Sequence, residues 1–185
     1  MKLNKNTLLS FLMLVFLAAV YRAIPGRPWG FAPQFAMAIF GGAVFADKKL
    51  SFFMPMLSLL ISDVLYELLF INGLSEINGF YDGMWINYLL FGSLTIVGFF
   101  IQPAKISSIA KGAIAAPTLF FLTSNFITWA GNGGYQRGKT FAGLMQTYMD
   151  GIPFYGNSLV ATVVFSTFLF GAYHLMVGKL LKAKA

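Results

Sequence analysis

An all-α integral membrane protein, folded as one six-transmembrane-helix bundle, is the class this sequence predicts, and three observations predict it. Apolar residues fill 58% of the 185 positions and charged residues only 10%, where a soluble domain carries about 25% charge. Mean hydropathy is +0.73. The apolar residues gather in six runs, most of them near the roughly 20 residues that a straight bilayer crossing requires. No composition shift, low-complexity linker or internal repeat divides the chain, so residues 1–185 read as a single membrane domain.

The expected spans are about 7–22, 32–46, 50–71, 85–102, 110–130 and 156–178. The first, "TLLSFLMLVFLAAV", follows the basic "MKLNKN" and has the flavour of a secretory signal, but "YRAIPGRP" after it offers no small-x-small cleavage site, so it reads as a retained span. The second is short and follows Pro25, Pro28 and Pro33, which predicts a tilted or partial crossing. "ADKKL" is too tight for anything but an antiparallel hairpin into the third span. The fourth opens with "MWINY", and the fifth ends with "LTSNFITW". Between the fifth and sixth, residues 131–155 begin with a Gly-rich turn. Phe141, Leu144, Met145, Tyr148 and Met149 then recur at helical spacing. A short amphipathic helix on the outer surface is expected there.

Charge placement orients the bundle. Lys2, Lys5, Lys48, Lys49, Lys105, Lys111, Lys179, Lys182 and Lys184 fall on one side, against Arg22, Arg27, Arg137 and Lys139 on the other. The positive-inside rule puts the lysine-rich side in the cytoplasm with both termini, so the net charge of +7 serves topology and no nucleic-acid partner is expected. All three arginines lie outside, where a planar donor fork suits carboxylate, phosphate or aromatic partners. Cysteine is absent and His174 is the sole histidine. Thiol chemistry and His/Cys metal sites are thereby excluded, and no metal, cofactor or catalytic residue is expected. "GKT" at 138–140 lacks the remaining spacing of a phosphate loop.

The third span raises the functional question. "LLISDVLYELLF" should sit in lipid yet carries Asp63 and Glu67, four residues apart and so on one helix face about 6 Å apart. A carboxylate at a helix centre costs about 2.5–3.5 kcal/mol on insertion scales, so it needs a cavity or a partner. Counting about 1.5 Å per residue puts both acids in the outer half of the membrane. Asn125 and Trp129 of the fifth span reach the same half, as do Trp85 and Asn87 of the fourth, Asn157 of the sixth, Arg22, Gln34, and Arg27 and Trp29 of the first loop. Two expectations stand side by side. Asp63 and Glu67 receive a ligand, oriented by Asn87, Asn125 and Asn157, stacked on Trp29, Trp85 or Trp129 and capped by Arg22 and Arg27; or the acids pair with Arg22 or Arg27 and lock the loop over the bundle. In span two, Ala38, Gly42 and Ala46 form a small-xxx-small ridge for close packing, within the chain or against another subunit.

The blocks "RAIPGRPWGFAPQFAMAIFGGAVF", "PMLSLLISDVLYE", "LTSNFITW" and "TFAGLMQTYMDGIPFYGNSLVATVVF" resemble those of an uncharacterised bacterial family described as candidate transport proteins. That family is similar in span number and layout to the substrate-binding S components of energy-coupling-factor (ECF) vitamin transporters. The resemblance implies an N-in/C-in bundle in the bacterial inner membrane that captures a small polar or cationic micronutrient in an outer-half pocket. It also implies a transmembrane coupling subunit and ATPase subunits as partners. Span one departs from the Ala-xxx-Ala pattern common in S components: its matching stretch is "LLSFLMLVF", and the only such spacing, Ala19 to Ala23, lies at the outer end. A stand-alone proton- or cation-coupled carrier and a non-transporting assembly or scaffold subunit are the alternatives.

Overall fold

A computed structural model describes residues 5–131 and 138–182, with side chains described over 12–131 and 138–175. The described residues form six α-helices and no strands: α1 Lys5–Ala23, α2 Gln34–Val44, α3 Lys48–Ile71, α4 Met84–Phe99, α5 Ile106–Ala130 and α6 Phe141–Lys182. Three are long and apolar enough to cross a membrane, namely α3, α5 and α6 over Phe141–Leu175. Leu12–Ala23 of α1, α2 and α4 are shorter apolar helices. Large apolar side chains point outward around the bundle, among them Leu17, Leu68, Leu89, Phe100 and Phe168, each at least half exposed. A soluble monomer does not carry such a surface. It is that of a helical membrane protein.

At 11 residues α2 is about 16 Å long, half a bilayer core, and its role is central. Every residue from Gln34 to Val44 except Ala43 is buried, with α3, α4, α5 and α6 packed around it. Phe35, Ile39 and Phe40 fill the core, and the Phe40 ring meets Phe170 of α6 edge-on at 5.1 Å. The small-residue ridge works inside the chain. Ala38 is fully buried, and a Cβ on Gly42 would strike the Thr95 carbonyl and the Gly98 backbone of α4. Only Ala46, beyond the end of α2, is exposed.

Helix α3 starts on Asp47, whose carboxylate accepts from the Lys49 amide at 2.9 Å. Pro55 inside it has no amide for the Ser51 carbonyl, which accepts instead from Thr95 Oγ1 at 3.5 Å. The turn over 45–47 makes the expected hairpin between α2 and α3.

The separate surface helix expected in 131–155 is absent as such, although the predicted helical spacing is realised. Helix α6 runs unbroken through Gly151 and Pro153 for 42 residues, about 63 Å. Helix α5 measures only about 37 Å over 25 residues. The two are linked near both ends of α5: Trp129 Nε1 donates to the Gly138 carbonyl just before α6 at 3.1 Å, and His174 Nε2 lies 2.7 Å from the Pro103 carbonyl just before α5. Tyr148 donates to the Leu122 carbonyl at 3.0 Å, Gly151 abuts Asn125, and Tyr155 stacks on Phe121 at 4.8 Å. "MDGIP" reads as a break, but the α5 contacts hold the chain helical across it. Residues 132–137, the heart of the expected Gly-rich turn, lie outside the described residues, as do Lys2, Arg137 and Lys184.

Candidate functional site

The ends of α1, α3 and α5 and the starts of α2, α4 and α6 lie at the same end of the bundle, together with the connections 24–33 and 72–83. A cavity of about 480 Å³ opens there, within the range of small-molecule sites. Arg22, Arg27, Trp29, Gln34, Asp63 and Asn87 line it, as the outer-half clustering of polar residues leads one to expect, with Tyr66, Tyr81, Tyr88, Phe35, Phe91 and Phe120 among the aromatic lining.

One face of α3 organises this end. Arg22 Nη1 forms an ion pair with Asp63 Oδ1 at 2.5 Å and also donates to Ser62 Oγ. The other carboxylate oxygen of Asp63 accepts from the Tyr88 hydroxyl of α4 at 2.7 Å. Buried and paired on both oxygens, Asp63 ties α1, α3 and α4 together. One turn further, Tyr66 donates to the Arg22 carbonyl at 2.6 Å and so caps the end of α1. Glu67 Oε2 accepts the Gly79 amide at 2.9 Å and the Phe80 amide at 3.3 Å. Gly79 is required at that approach, because a Cβ there would collide with the Asp63 carbonyl. "SDVLYE" is thus a docking rail for the rest of the chain.

The first loop is clamped from two sides. Arg27 Nε donates to the Arg22 carbonyl at 3.2 Å, and its Nη1 donates to the carbonyls of Pro28 and Phe31 at 3.2 and 2.7 Å. From α6, Asn157 Nδ2 donates to the Trp29 carbonyl at 2.9 Å and Ser158 Oγ to the Gly30 carbonyl at 3.0 Å. Gly30 has a φ of +82°, and a Cβ on it would meet the Phe154 carbonyl and Ser158 Oγ. Glycine alone fits both demands.

Five expected site residues do not line the cavity. Glu67 and Asn157 serve the two loops instead. Asn125 donates to the Phe121 carbonyl of its own helix at 2.8 Å and faces Gly151 on α6. Trp129 closes the α5–α6 end, and Trp85 is 67% exposed beside Tyr88. Depth alone placed them, whereas the azimuth of each around its helix decides what it faces. Both expectations for the acids meet in Asp63, which pairs with Arg22 and still lines the cavity; Arg27 has no carboxylate partner among the described residues.

The floor holds residues to which the sequence reading assigned no ligand role, although it placed Gln34 in the outer half. Gln34 is 1% exposed; its Nε2 lies 3.4 Å from both the Ala18 carbonyl and Ser58 Oγ, while its Oε1 has no partner among the described residues. Above it Phe35, Phe91 and Phe120 form a ring cluster with centroids 4.8–5.0 Å apart. An amide heading an otherwise apolar helix is the signal that could have singled out Gln34. The aromatic floor has no comparable signal among 21 phenylalanines. Among the described residues no group of three His, Asp or Glu could hold a metal.

No curated protein and no solved structure matches the chain. A profile of a family of unknown function, DUF6580, matches residues 1–184, so the chain belongs to that family.

Proposed function

We propose that the chain is the substrate-binding subunit of a micronutrient uptake transporter in the bacterial cytoplasmic membrane. In this reading it is a six-span bundle with both termini inside, similar in layout to ECF S components. The cavity carries the reading: it has ligand size, lies at the end read as outer, and combines charged, amide and aromatic side chains drawn from both loops and from all six helices. The sequence holds no nucleotide-binding motif. A transmembrane coupling subunit and ATPase subunits would therefore supply the energy. Since Ala38 and Gly42 are buried against α4, that docking would use another surface.

The chain acts here as a binder and not as an enzyme. Its ligand is small and polar. Recognition of a cation by Asp63 and Glu67 is the weaker form, because Asp63 is already paired with Arg22 and Glu67 with two amides. The same engagement counts against a stand-alone proton- or cation-coupled carrier. It favours a scaffold subunit as the second reading, with the acids as braces.

Mass spectrometry of small molecules co-purifying with the gently solubilised protein decides between the two. The control is Ala32→Trp, which fills the cavity from its loop wall and leaves the braces intact. A stoichiometric ligand in the wild type, lost in Ala32→Trp, is expected. A wild-type protein that stays empty under mild extraction would turn the assignment to a scaffold.

A further inference from the structure

The hydrogen-bonding groups and charges of the cavity are unbalanced in a way that describes a ligand. Asp63 neutralises Arg22, whereas Arg27 has no carboxylate partner among the described residues. Its Nε is held by the Arg22 carbonyl at the end of α1 and its Nη1 by two loop carbonyls, and Nη2 reaches only the Tyr66 hydroxyl, at 3.5 Å. The charged groups of the lining, Arg22, Arg27 and Asp63, thus leave one positive charge in excess, and Glu76 shares only the adjoining cavity with Arg27. One Nη2 N–H remains without a partner among the described residues.

The floor is unbalanced in the opposite sense. The Ala18 carbonyl can only accept, so the Gln34 amide must turn its nitrogen toward it, and Oε1 is left as a buried acceptor with no donor. A buried acceptor without a donor is destabilising, and a ligand N–H would relieve it. Phe35, Phe91 and Phe120 offer ring faces and edges beside it, which suit a flat π-system.

Resting on the capture reading above, we propose that the ligand is a planar nitrogen heterocycle bearing one negative charge. Its ring N–H meets Gln34 Oε1, its ring lies against the Phe35–Phe91–Phe120 cluster, and its anionic group sits at Arg27. The net positive lining selects against cations even though the walls are aromatic.

Four probes separate the elements of this description by calorimetric titration of the detergent-solubilised full chain. Orotate has the flat ring, the N–H groups and the charge; uracil lacks the charge, benzoate lacks the N–H, and trimethylphenylammonium reverses the charge. Orotate should bind about tenfold or more tighter than uracil or benzoate, and the cation weakest, since an unpaired buried polar group discriminates strongly between analogues. Arg27→Gln should bring orotate down to the level of uracil, and Gln34→Met to the level of benzoate. Because Gln34 also bonds within the protein, 1,3-dimethylorotate repeats the second comparison on unaltered protein, and equal binding of orotate and its dimethyl derivative overturns the role of Gln34. Preference for the cation, or failure of all four probes beside a co-purified ligand of other chemistry, overturns the class and leaves the capture reading standing. Failure of all four with an empty cavity by mass spectrometry overturns both.

Discussion

Asp63 receives donors from two other helices, Arg22 of α1 and Tyr88 of α4, and is itself only 2% exposed. Removing one member of a buried pair strands the other charge, at a cost of about 3–5 kcal/mol, whereas removing both is far milder. Asp63→Asn and Arg22→Met should each lower thermal stability in detergent by about 3 kcal/mol, and the double variant should lose clearly less than the sum. Additive losses in that cycle would mean the pair does not act as a unit. Glu67 works through geometry: its Oε2 holds two loop amides, and a glutamine oxygen can accept the same bonds. Glu67→Gln should therefore leave the 72–83 connection as resistant to limited proteolysis as the wild type, while Glu67→Ala should open it to cleavage. Equal resistance in both variants would remove Glu67 from the loop. The spacing of Asp63 and Glu67 announced a polar face in the sequence, and the face is there. Arg22 was among the partners expected for it, and the two tyrosines that complete it were not legible. Tyr66 and Tyr88 are accounted for in a sequence by the aromatic belt of any membrane protein, so hydroxyls that hold a carbonyl and a carboxylate leave no distinguishing mark.

Among the elements, α2 and α4 approach each other backbone to backbone. The Gly42 and Gly98 Cα atoms face each other, and a Cβ on Gly98 would enter the Ile39 carbonyl as one on Gly42 would enter that of Thr95. Neither obstacle is a flexible side chain, so Gly42→Ala or Gly98→Ala should destabilise by about 1–3 kcal/mol through overpacking. Gly92 on α4 is the control, since its Cβ would meet only Met56 at 3.5 Å and alanine improves helix propensity there. Thermal unfolding that ranks Gly92→Ala with the other two would show that the α2–α4 contact does not limit stability. The small-residue spacing of α2 was readable in the sequence, but its partner was not, because a ridge of this kind has no direction until the neighbouring helices are placed. The helix positions were legible for the same reason that hydropathy works in lipid: each apolar run must satisfy its own backbone as a helix. The expected break in α6 failed where tertiary contact overrode local propensity. Phe121, Leu122 and Asn125 on α5 hold the helix across Gly151 and Pro153.

At the scale of the whole molecule, the six helices alternate in direction, so the connections 24–33 and 72–83, the end of α5 and the start of α6 share one end, and the turns at 45–47 and 100–105 share the other. The basic residues follow the same division. Lys48, Lys49 and Lys105 flank the second end, while Arg22 and Arg27 sit at the first, engaged with Asp63 and with loop carbonyls. Positive charge near the ends of spans resists translocation, which predicts that the second end is cytoplasmic and that the cavity opens outward. The chain has no cysteine, so single cysteines report orientation without background. Asp82→Cys lies beside the cavity and Ala104→Cys at the opposite end, and both positions are exposed. A membrane-impermeant maleimide added to intact spheroplasts should label Asp82→Cys and should label Ala104→Cys only after lysis. The reverse pattern would turn the cavity toward the cytoplasm and end its role in uptake. Labelling of both in intact spheroplasts would deny α4 a crossing, a point of substance because its 16 residues, about 24 Å, fall short of a bilayer core. Helix α4 crosses only if the bilayer thins around it or the residues flanking it continue the apolar stretch. Ile101 beyond its C-terminus is buried, and Trp85 at its N-terminus is exposed where an interfacial anchor would sit, so the second route is the one expected.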